Sequence, residues 1–135
     1  MKTTLIAALL AGFVGVVPST LHTIATGGDW LESINAVATI VDAENLTMGW
    51  RVSVATAIHF AISLVWASAL IAILPRRQPL LWASAAGVVI AVIDLLVLAP
   101  IFFPEVASLS FWPQLADHIA WGASVGTVRA LRLSP

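Results

Sequence analysis

The stretch Leu80–Phe103, LLWASAAGVVIAVIDLLVLAPIFF, carries one ionisable side chain, Asp94, in 24 residues. A helix needs about 20 predominantly apolar residues to cross the hydrocarbon core of a bilayer. A helix that is apolar all round cannot sit on the surface of a small soluble domain, so this stretch reads as a transmembrane span. Pro100 is expected to bend its last turn and Pro104 to end it.

Three further spans are read outward from it. The first covers about residues 3–25 and ends at Gly27-Gly28, a pair suited to a turn. The second covers 50–74 and stops at Pro75-Arg76-Arg77-Gln78-Pro79, and the fourth covers 111–128, with Arg129 and Arg132 behind it. Residues 29–45 are too charged to cross. Their apolar members Trp30, Ile34, Val37, Ala38 and Val41 fall on one helical face, as in a helix lying at the interface. The expected fold is therefore an all-α membrane protein, a four-transmembrane-helix bundle with an interfacial amphipathic helix between the first two spans, forming a single domain over 1–135.

Composition agrees. The chain is 60% hydrophobic and 10% charged, with a mean hydropathy of +1.01, whereas a soluble domain carries about 25% charged residues. Lys2 followed by the run Leu5–Val17 is similar to a secretory signal peptide, with Ala25-Thr26-Gly27 as a loose cleavage site. Continuation of the apolar run through Ile24 favours a retained helix.

Cations in short loops stay on the cytoplasmic side. With four crossings Lys2, Arg76-Arg77, and Arg129 with Arg132 all fall on one side, and Arg51 falls opposite. Both termini are therefore expected in the cytoplasm, in a bacterial inner membrane. Trp30, Trp50 and Trp112 then mark the outer interface and Trp82 the inner one.

Ionisable groups inside a bilayer are expensive and are usually paired or functional. His22, His59, Asp94, Asp117 and His118 are such groups. At a rise of about 1.5 Å per residue, His59, Asp94 and His118 sit roughly 10 to 13 Å inside the outer boundary, and His22 about 7 Å inside. Asp117 and His118 lie about 100° apart on their helix, so one of them faces a neighbouring helix edge, the amphipathic segment or a second subunit. Three uses of this layer stay open. In the first, Asp94 accepts a hydrogen bond from His59 or His118 and locks the register of the helices. In the second, the layer handles protons near neutral pH. In the third, His59 and His118 hold haem b as axial ligands, with Ser63 and Gly122 leaving room for the ring, or hold a divalent metal together with Asp94.

Small residues suited to close helix approach recur in every span: Ala11, Gly15 and Ser19; Ser63 and Ala67; Ala83, Gly87 and Ala91; Gly122 and Gly126. A short internal repeat accompanies them. Ala11-Gly12-Phe13-Val14 pairs with Ala86-Gly87-Val88-Val89, and His59-Phe60-Ala61 with His118-Ile119-Ala120. Two halves of this kind would be related by an axis along the membrane normal.

Several chemistries are excluded. The chain has no cysteine, hence no disulfide, thiolate metal site or cysteine nucleophile. It has no phosphate-cradling glycine loop with lysine, no metalloprotease helix motif, no nucleophile elbow and no basic run for nucleic acid.

The Ala-Gly-rich first span, the acidic segment after it, His59-Phe60-Ala61-Ile62-Ser63, Leu98-Ala99-Pro100 and His118-Ile119-Ala120-Trp121-Gly122 with Gly126 together resemble the small YagU-like bacterial inner-membrane proteins. The resemblance implies a four-span membrane protein with a link to acid tolerance, and it carries no catalytic residues over. That family often has glycine where this chain has Ser63. The expectation is a non-enzymatic accessory or oligomeric membrane component, partnered by lipid and either by copies of itself or by a larger complex. The alternative is a redox or metal-binding subunit.

Overall fold

The computed structural model describes residues 2–133, which are mostly helical with no strand among them. Three stretches are long and apolar enough to cross a membrane: Lys2–Thr26, Met48–Ile73 and Pro79–Phe102. The first is two helices, α1 (Lys2–Val14) and α2 (Val17–Thr26). The acidic segment forms α3 (Glu32–Ala38) with a 3₁₀ turn over Thr39–Val41, shorter than the 29–45 expected from its apolar spacing. Then come α4 (Met48–Ile73) and α5 (Pro79–Ile93), followed by a π-helical turn over Asp94–Leu98 and by α6 (Ala99–Phe102). The short connection bearing Glu105 is itself a helical turn, α7 (Pro104–Ala107). The fourth long helix, α8 (Phe111–Leu133), is the most polar of the four and runs on through Arg129 and Arg132.

Two prolines shape the long helices differently. Pro18 has no N–H for the carbonyl of Val14, and the first stretch breaks at Gly15-Val16, where Val16 sits at φ −95° and ψ −4°. Pro100 is absorbed without a break. The Ala99 N–H reaches back five residues to the Asp94 carbonyl, in a turn wider than that of the α-helix before it.

α8 lies between α1–α2 on one side and α5 on the other, α4 packs against α1, and α3 bridges α4 and α7. Neighbouring long helices run antiparallel. The cations Lys2, Arg76, Arg77, Arg129 and Arg132 consequently gather at one end of the molecule, and Asp29, Glu32, Asp42, Glu44 and Glu105 at the other. Trp30, Trp50 and Trp112 stand exposed at the acidic end and Trp82 near the basic one.

The small residues are where the helices meet. Ala7, Ala8, Ala11, Ala67, Ala83, Ala91 and Val125 are all almost fully buried, while large apolar side chains such as Val65, Ile73 and Leu81 point outward. A Cβ on Gly87 would strike the His118 carbonyl, and one on Gly122 would strike the Ala83 carbonyl. The α1–α4 pair repeats this pattern in register. Gly12 lies against the Phe60 ring, and the Ala8 carbonyl accepts a hydrogen bond from Ser63 at 3.0 Å. The repeated sequence elements thus occupy equivalent contacts in both hairpins. α4 and α5 nevertheless have no packed interface with each other, so the second helix–helix junction that a two-fold relation requires is absent.

Backbone cannot yield as a flexible side chain can. Gly87→Ala and Gly122→Ala are therefore expected to cost about 1–3 kcal/mol each. Gly49→Ala, where the added Cβ has open space, should leave stability unchanged or raise it by up to about 1 kcal/mol. Thermal denaturation of the three variants in one detergent checks this.

Candidate functional site: a polar layer around a broken helix

A helix break in apolar surroundings leaves carbonyls at the end of one piece and N–H groups at the start of the next without partners. Here one group of each set meets a side chain. The Gly12 carbonyl, in the last turn of α1, accepts a hydrogen bond from His59 Nε2 at 2.9 Å. The Ser19 N–H, which an unbroken helix would direct at Gly15, donates instead to Asp117 Oδ1 at 2.8 Å. The signs match the local fields, since the carbonyl end meets a donor and the amide end an acceptor that can carry negative charge. Both Ser19 and Asp117 are buried.

One turn towards the basic end, Ser63 links three helices. Its hydroxyl donates to the Ala8 carbonyl and accepts from Trp121 Nε1 at 2.7 Å. The room that Ser63 and Gly122 leave in the sequence is thus taken by Trp121 and by the Ala83 backbone.

His118 forms the other connection. Its Nδ1 donates to the Gln114 carbonyl at 2.8 Å, and Nε2 faces Asp94 Oδ2 at 3.5 Å across the α5–α8 junction. A carbonyl only accepts, so Nδ1 carries hydrogen. A neutral ring would then present a lone pair at Nε2 to a carboxylate. The geometry is favourable when one proton more is present, either on Nε2 or on Asp94. His118 Nε2 and Asp94 Oδ2 stand within ion-pair range, and each residue remains partly open to its surroundings.

Asp94 therefore meets His118 and not His59, which is spent on Gly12. Asp117 faces a neighbouring helix, α2. His22 is exposed on α2 and joins none of these contacts. Among the described residues no three His, Asp or Glu side chains are placed to hold a metal.

Sequence reasoning missed four participants: Pro18, Ser19, Gln114 and Trp121. Pro18 was the available signal, because an interior proline frees backbone groups that a polar side chain must meet. The acidic end also carries an open pocket of about 500 Å³, lined by Asp29, Glu32, Asn35, Thr39, Glu44 and Glu105. Arg51 reaches towards this pocket and donates to Asn35 Oδ1 at 2.8 Å, tying α3 to α4.

Comparison of the chain with protein-family models, with curated proteins and with solved structures returns no match.

Ser63→Ala leaves the buried Trp121 N–H without its acceptor, and the expected cost is about 1–3 kcal/mol. Trp121→Phe added to Ser63→Ala should cost less than Trp121→Phe in the native chain, because the bond is already lost. A double-mutant cycle on thermal stability measures the difference.

Proposed function

We propose that the chain is a four-span inner-membrane protein with both termini in the cytoplasm. Its role is that of a non-enzymatic accessory or oligomeric component whose His/Asp layer responds to pH from the outer side. The segregation of cations to one end supports this orientation by the positive-inside rule. α8 supplies the fourth span, with its polar side chains turned to neighbouring helices, and α3 lies at the outer interface.

The observation that carries the reading is the His118–Asp94 pair. Its Nδ1 hydrogen is fixed by Gln114, so gain or loss of a proton falls at the junction of α5 and α8. Histidine is the side chain suited to titrate in the physiological range. The π turn that starts at Asp94 adds a second element there, since such turns are frequent at functional positions. The acidic pocket at the same end concentrates negative potential and would raise the local concentration of protons and other cations. The resemblance to YagU-like proteins, with its link to acid tolerance, points the same way.

¹⁵N NMR of ring-labelled protein in lipid nanodiscs tests the reading. His118 should show a protonation change between about pH 5 and 8, and Asp94→Asn should remove that change from the window while leaving His59 as it was. A flat His118 signal across the range sinks the proposal.

A further inference from the structure

α2 is held by little. On its N-terminal side stand the non-helical pair Gly15-Val16 and Pro18, and on its C-terminal side Gly27, at φ +71°, followed by Gly28. Ser19 is its buried residue, while Val17, Leu21 and Ile24 are exposed. α2 packs on α8, and across that contact the Ser19 N–H donates to Asp117. α1 is anchored independently, through Ala8 and Gly12 to α4.

We propose that α2 is a hinged half-helix, latched onto α8 by the Asp117 carboxylate and released when that carboxylate loses its charge. A carboxylate accepting from an N–H makes a bond about twice as strong as a neutral acceptor does, so protonation weakens the latch. A swing about Gly15-Val16 then uncovers Asp117 while the contacts of α1 stay in place. The ionisable groups around Asp117 are few. His118 follows it on α8, and Asp94 lies beyond His118 across the α5 junction. On α4, His59 is held at Gly12, and on α2, His22 is exposed.

This goes beyond the His118–Asp94 reading, because that pair can exchange a proton with α2 closed, and the latch can open with the pair intact. The chain has no native cysteine, so spin labels can be placed directly. Ile24→Cys on α2 and Ile73→Cys at the far end of α4 are both exposed positions, and dipolar EPR in liposomes reads the distance between them. The expected result is one narrow distance at pH 8 and a second population at pH 5. Asp117→Asn should show the second population at both values, with the closed-to-open ratio at pH 8 lowered about tenfold. Asp117→Glu and Asp94→Asn should keep the pH response, and a control pair at Leu5→Cys and Trp112→Cys should stay at one distance throughout. Three results overturn the proposal: a single unchanged distance in the native chain at pH 5, a pH response that survives in Asp117→Asn, or its loss in Asp94→Asn. Should Asp117→Asn fail to fold, the native chain and Asp117→Glu decide, since a single distance in both at pH 5 rejects the latch.

Discussion

The bond from the Ser19 amide to Asp117 follows from a constraint that governs the whole chain: where water is scarce, every backbone polar group needs a partner. Pro18 cannot supply an N–H to Val14, and its ring forces the helix apart at Gly15-Val16. That break creates a demand for one donor and one acceptor at the same depth. His59 and Asp117 meet it, from α4 on one side and α8 on the other. Two of the four polar side chains that form the layer are thus explained by backbone chemistry alone. The remaining pair, His118 and Asp94, satisfies no orphaned main-chain group at the break and instead joins α8 to the start of the π turn.

The two hairpins show how one packing scheme carries different chemistry. In both, a glycine of the first helix meets the His-containing turn of the second, and an alanine carbonyl four residues earlier meets a small residue four residues later. In one hairpin that small residue is Ser63, whose hydroxyl turns the close approach into a hydrogen bond and recruits Trp121 from a third helix. In the other it is Gly122, and the approach is pure backbone contact. Ser63 is therefore a residue that ties the first hairpin to the second.

Much of the architecture was legible because length and polarity act locally. Three apolar runs, the turns at Gly27-Gly28 and Pro75–Pro79, and the small-residue rows all appear where the periodicity placed them. The partners of the polar side chains were less legible. Depth along a helix can be counted, and it put His59, Asp94 and His118 in one layer. Which of them touch depends on the rotation and order of the helices, and the order that sets α8 between α1 and α5 is a packing result that no local pattern encodes. Pro18 was legible and overlooked. The π turn at Asp94 was anticipated only as a bend at Pro100.

The order of the helices also accounts for an apparent contradiction in α8, which is the most polar of the long helices and yet the most enclosed. In water the most polar helix would be expected at the periphery. Here α4 and α5, richer in exposed large apolar residues, occupy the periphery, and α8 holds Asp117 and His118 against two different neighbours. The inversion is what an apolar surrounding demands, since a helix with ionisable groups must turn them inward. Because Asp117 and His118 are consecutive, they project in directions about 100° apart. One residue step on a single rigid helix thereby reaches both α2 and the Asp94 turn, so a rotation of α8 that tightens one contact must alter the geometry of the other.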